Sequence, residues 1–231
     1  MWPLERGLFS RAAIGPLVRI GLPIGLTFGL ELAAFACVLF LMGSLGTVEL
    51  AAHQVVMTFV SGSFMLPLGV AMASAVRVGN AIGRGDPDGV RRAARSGLVL
   101  GALCMSGSAL LFVLAPRSLA RLVTDLPPVL DVAVTLLPIA GLFQVFDGVQ
   151  SVALGCLRGT ADTKVPMLIH LFGFWIVAVP ASAFFGLHLA WGARGLWWGL
   201  ALGLFLVALV QVARLRVRLS HPLARIETEG S

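Results

Sequence analysis

The chain has 231 residues, 58% hydrophobic and only 12% charged, with a mean hydropathy of +0.95; a soluble domain of this length carries about a quarter charged residues. That balance excludes a protein whose main solvent is water. The net charge of +6 does not point to nucleic acid, because the arginines sit between long apolar runs rather than on amphipathic faces. They read as topology signals.

The first 19 residues carry Arg6, Arg11 and Arg19 ahead of an apolar stretch, with Ala34-Phe35-Ala36 as a nominal cleavage site. Glu31 in the middle of that stretch argues for a retained helix rather than a cleaved signal. A bilayer core of about 30 Å needs about 20 helical residues, and six segments meet that requirement with almost no charge: 20–44, 50–76, 96–116, 132–157, 165–187 and 195–213. The expected fold is an all-α membrane protein with a six-helix transmembrane region over 20–213, flanked by segments 1–19 and 214–231. Pro23, Pro67, Pro138 and Pro180 fall inside spans, where neighbouring helices can satisfy the carbonyls they free.

An even number of spans puts both termini on one side. Fourteen Lys and Arg residues fall on that side and three, Arg117, Arg121 and Arg194, on the other, so both termini are expected in the cytoplasm. Between the second and third spans, VRVGNAIGRGDPD is glycine-rich but lacks the Gly-Lys-Ser/Thr ending and the preceding strand of a phosphate loop. It reads as a tight turn, with Asp86-Pro87 opening the next helix. The outer segment 117–131 suits a short helix on the membrane surface.

Glu31 and Asp147 are the only formal charges well inside a span, and each costs at least about 2.5 kcal/mol at the bilayer centre if ionised and unpaired. Counted from the arginine-rich side, both lie about 15 to 17 Å deep, near the midplane. Gln144, Asp147, Gln150 and Ser151 recur at spacings of three and four, forming a polar stripe on one helix face. Gln54 and the Ser61–Ser63 region add polar groups in the second span, so Gln54, Gln144, Gln150 and Ser151 are the cavity-lining candidates beside the two acids. The amides and serines serve equally well as interhelical glue. His53, His170 and His188 read as packing or interfacial residues.

Cys37, Cys104 and Cys156 lie in apolar segments without metal-ligand spacing and read as free thiols. No nucleophile with its base, histidine cluster or paired Asp-rich motif is visible. Enzymatic chemistry, a metal site and a bound cofactor are therefore not expected.

GLELAAFA around Glu31, AAHQVV from Ala51, VRVGNAIGRGD from Val76 and FDGVQSVALGCLRGTADTKVP from Phe146 resemble, in that order, signatures of the C-terminal lobe of multidrug and toxic compound extrusion (MATE) transporters of the NorM type. The resemblance implies one six-helix lobe of a twelve-helix, two-lobed antiporter that exports cationic amphipathic compounds across the cell inner membrane. It also implies that Glu31 and Asp147 bind the coupling cation or proton. Phe143 stands where that branch has a tyrosine, and the chain has no tyrosine at all. The loss of a hard oxygen ligand favours H+ over Na+ as coupling ion. The implied partners are membrane lipid, small cationic substrates and either a second lobe or a second copy of the chain. The alternatives are a lipid or polysaccharide flippase of the same wider superfamily, or a non-transporting assembly subunit or truncated fragment.

Overall fold

The computed structural model describes residues 11–220. Arg6, Arg225 and the outer parts of the two flanking segments lie outside the described residues. Among the described residues, six helices are long and apolar enough to cross a membrane: α1 (Arg11–Leu45), α2 (Thr47–Gly83), α3 (Pro87–Leu114), α5 (Pro127–Gly159), α6 (Lys164–His188) and α7 (Gly192–Ser220), with a short α4 (Pro116–Arg121) between α3 and α5. The described residues contain no strand.

Most of these helices outrun the apolar segments that announce them. Apolarity marks only the stretch that prefers lipid, whereas a helix continues until its backbone meets a breaker or a cap. Thus α7 carries on through Arg214, Arg216 and Arg218 to Ser220, although residues from 214 onward read as a tail. Helix α3 starts at Pro87, nine residues before its apolar run. Asp86 caps it there, accepting a hydrogen bond from the Gly89 N–H at 2.7 Å, with proline in the first turn. It stops at Leu114, two residues short of the expected end, where Pro116 begins α4.

The turns are short. Gly46 alone joins α1 to α2 at φ +153°, a conformation a side chain resists, and a Cβ there would run into the Glu49 carboxylate. Gly85, at φ +66°, closes the turn between α2 and α3. The α3–α5 connection presents Leu122, Val123 and Leu126 as exposed apolar residues around α4.

Helix α5 is the hub, packing on α2, α3 and α7, while α6 packs on α7 and α1. Small residues allow these approaches, as expected where lipid offers no hydrophobic drive between helices. Gly155 and Gly159 sit against the backbone of Ala71 and Ala75 in α2, and Gly199 and Gly203 sit against Ser182 and Ala178 in α6. Pro67 and Pro138 lie inside α2 and α5. Helix α6 contains two wider π-helical stretches, Leu171–Ala178 and Phe184–His188, on either side of a five-residue α-helical segment that holds Pro180. The turns after α2 and α5 and the end of α7 share one end of the bundle. Gly79 lies 3.7 Å, measured from its would-be Cβ, from the Gly159 carbonyl, and Arg214 pairs with Asp162 at 2.8 Å. That end is arginine-rich, and is called the basic end below.

Candidate functional site: an acid pair between two sealing layers

Three aromatic rings from three helices meet inside the bundle. Phe35 of α1 lies edge-on to Phe143 of α5, with centroids 5.9 Å apart, and 6.2 Å from Phe174 of α6. Phe143 also meets the fully buried Trp197 of α7 at 5.8 Å. Helices α1 and α6 run away from the basic end and α5 runs toward it. One turn from each ring toward that end lie Glu31, His170 and Asp147, respectively. The aromatic contacts therefore fix a second layer of three polar groups at a common height.

Within that layer, Glu31 Oε2 is 3.8 Å from His170 Nδ1. The Glu31 carboxyl is also in electrostatic range of Asp147 and of the Arg158 guanidinium. The His170 ring is fully buried and neither of its nitrogens has a hydrogen-bond partner among the described residues. Gln150 donates its amide N–H to Asp147 Oδ1 at 3.2 Å and, more weakly, to the Ser151 hydroxyl at 3.4 Å, while its own Oε1 is unpaired. One turn closer to the basic end, the Arg158 guanidinium stands 4.7 Å from the centre of the Phe28 ring, with Nε and Nη2 unpaired. The acids are thus bounded by rings on one side and by a stacked cation on the other.

The structure brings Glu31, Asp147, Gln150 and Ser151 together. Gln144 is buried a turn away on α5 and donates to the Ser63 hydroxyl of α2, so it ties two helices beside the site. Gln54 does not join them. His53 faces inward against Trp197, and the next residue is turned about 100° round the helix, which leaves Gln54 exposed on the outside of the lobe with Thr58 and Ser61. Sequence reasoning missed His170, taken for a packing residue, and Arg158, taken for a topology mark. It also missed Gln211 of α7, which is fully buried with both amide atoms unpaired. A lone polar residue inside an apolar run was the available signal for Gln211. Among the described residues, no cluster of three His, Cys, Asp or Glu side chains is arranged to hold a metal ion.

The MatE family model matches residues 23–184, which include the aromatic layer apart from Trp197 and all of the acid layer. The chain belongs to the MatE family. Among MatE relatives, it is 43% identical over 210 residues to a probable multidrug resistance protein NorM of Brucella suis, covering 89% of this chain and 45% of that protein. It is 40% identical to a probable NorM of Pseudomonas putida, covering 100% of this chain and 52% of that protein. The chain spans about half the length of the curated relatives it matches. The MatE fold is matched by a crystal structure of a MATE protein in a bent conformation, with a TM-score of 0.85 and 19% identity, over 91% of this chain and 47% of the other. Six apolar helices and MatE membership together make the chain a multi-pass membrane protein with the fold of one MATE lobe.

Proposed function

We propose that this lobe carries the ion-coupling half of a MATE efflux antiporter, in which Glu31 and Asp147 exchange a proton for a cationic amphipathic compound. The observation that carries the reading is the placement of both carboxyls in one layer, in electrostatic range of each other and walled in by Phe35, Phe143 and Phe174. Two acids held this close respond to one bound cation as a unit, so occupancy of the layer feeds into the packing of α1, α5 and α6. The Phe143 ring offers no oxygen in place of the tyrosine of NorM-type sites, which favours H+ over Na+.

The drug path requires a second wall. In this reading it comes from another six-helix lobe, either a separate chain or a second copy, facing the exposed polar stripe of Gln54, Thr58 and Ser61 on α2. The basic end faces the cytoplasm of a cell whose inner membrane holds the protein. The test is efflux of ethidium from proteoliposomes under an imposed pH gradient, comparing Glu31→Gln and Asp147→Asn with the unmodified chain in its transporting assembly. Loss of at least about tenfold in pH-driven efflux from either variant supports the acid pair. Full coupled efflux from both overturns it.

A further inference from the structure

Two hollows adjoin at the basic end and share one residue, Arg92. The first, of about 270 Å³, lies between the end of α2 and the start of α3. It is lined by Arg77, Asn80, Arg84, Asp86 and Arg92. The second, of about 460 Å³, continues from Arg92, Arg95 and Ser96 along one face of α3 past Val99, Leu100 and Leu103. Its polar groups are confined to one end.

The charge in the first hollow is poorly balanced. Asp86 spends one oxygen on the Gly89 N–H and holds Arg92 only at 3.6 Å, and Asp88 pairs with Arg91 at 3.6 Å. Among the described residues, Arg77, Arg84 and Arg95 have no acidic partner within salt-bridge distance. The three guanidiniums of the first hollow, Arg77, Arg84 and Arg92, therefore meet a single carboxylate, that of Asp86, and Arg95 follows at the near end of the second, an arrangement suited to a phosphate, which accepts forked N–H donors from several sides.

The second hollow says what the phosphate is attached to. Val99, Leu100 and Leu103 are each more than half exposed. From Arg92 to Leu103 is eleven residues, or about 16 Å of helix, close to the depth of one leaflet of a bilayer core about 30 Å thick. A basic cradle at headgroup level that opens into an apolar channel one leaflet deep has the polarity of a phospholipid.

We propose that the α2–α3 turn and the adjoining face of α3 form a binding site for one anionic phospholipid. Its phosphate lies among Arg77, Arg84, Arg92 and Arg95, and one acyl chain lies along Val99, Leu100 and Leu103. The site is separate from the acid layer and does not depend on the ion-coupling reading. The quaternary ammonium of phosphatidylcholine cancels its phosphate charge and is repelled by the surrounding arginines, whereas phosphatidylglycerol keeps a net negative charge and a diphosphatidyl lipid adds a second phosphate, so either of these outbinds phosphatidylcholine. Each arginine contributes about fivefold in retention, the scale for a basic side chain at an anionic surface.

Native mass spectrometry of the detergent-purified chain, titrated with phosphatidylglycerol, phosphatidylcholine or inorganic phosphate, tests this directly. The expected result is retention of one phosphatidylglycerol at least about fivefold above phosphatidylcholine. Arg84→Gln and Arg92→Gln should each weaken it, and so should Val99→Trp, which fills the channel without changing charge. Arg216→Gln, an equal charge change on the exposed end of α7, should leave it unchanged. Equal retention of the two lipids overturns the site, as does an equal drop with Arg216→Gln. If inorganic phosphate displaces the lipid and Val99→Trp has no effect, the hollow takes a free anion, and the lipid assignment is wrong.

Discussion

His170 Nδ1 lies 3.8 Å from Glu31 Oε2 in the interior of the bundle, and that imidazole has no hydrogen-bond partner among the described residues. The pair joins α6 to α1 where α6 passes into its first π-helical stretch. A second contact joins the same two helices. The Trp175 indole N–H donates to the Leu30 carbonyl at 3.2 Å, next in sequence to Glu31. A change in charge at Glu31 is therefore felt directly by α6.

His170→Phe keeps the ring volume and the contact with Phe174 while removing both ring nitrogens. Because those nitrogens are buried and unpaired, thermal stability should be unchanged or slightly raised. Ion-coupled efflux should fall by about tenfold, the scale of losing one polar partner at an ion site. Unchanged coupling in this variant would show that the imidazole only packs.

Trp175 should report the occupancy of the acid layer. Trp175→Phe is expected to remove most of the ion-dependent tryptophan fluorescence change. A Trp198→Phe variant, altered on the exposed face of α7, should retain it. Stopped-flow fluorescence after ion addition distinguishes the two, and an equal loss in both would break the link between Glu31 and α6.

Arg158 places a positive charge in range of Glu31. Replacing it by Gln removes that repulsion, so the coupling ion should bind the layer about three- to tenfold more tightly. Arg158→Lys keeps the charge and should sit near the unmodified value, although it loses the planar stack on Phe28. Fluorescence titration at fixed ionic strength gives the comparison. Weaker ion binding in Arg158→Gln would contradict the sign.

The Arg214–Asp162 pair ties the α5–α6 turn to the end of α7. Nε and Nη2 both donate to Asp162 Oδ2 at 2.8 Å, and the Asp162 side chain is 8% exposed. Removing Arg214 strands the desolvated Asp162 carboxylate and should cost about 1–3 kcal/mol, whereas removing Asp162 leaves the partly exposed Arg214 and should cost less. The double variant should recover part of that loss. Additive losses in a double-mutant cycle would mean that the two groups do not interact.

Gly155 has no room for a side chain, since a Cβ there would press into the Ala71 backbone of α2. Gly155→Leu should separate α2 from α5 and lower the midpoint of thermal unfolding by several degrees, the scale of an overpacking cost of about 1–3 kcal/mol. At Gly107, on the exposed face of α3, nothing lies within 4 Å of a Cβ. Gly107→Ala should therefore be neutral or mildly stabilising.

The orientation is tested by labelling whole cells with a membrane-impermeant thiol reagent in a background free of Cys37, Cys104 and Cys156. A cysteine at Arg117 should label strongly and one at Arg91 weakly. The reverse pattern would invert the proposed topology.

The amino-acid sequence alone determined that the chain is a membrane protein with six spanning helices, because length and charge within each apolar run are one-dimensional properties. It also set the height of the two acids. At a fixed rise per residue, eleven residues after Ile20 and ten before Leu157 reach the same depth, which is where Glu31 and Asp147 share a layer. Only the tertiary structure decided which way each residue turns at its height. That angle depends on the partners a helix meets, and here those contacts are made through glycines such as Gly155 and Gly199 and through the rings of Phe35, Phe143 and Phe174. This is why Gln54, which looks like a cavity residue in the sequence, stands on the outside of the lobe. It is also why Arg158 and His170, which look like a topology mark and a packing residue, turn inward beside Glu31: the sequence carries depth along a helix, but rotation about its axis belongs to the packed bundle.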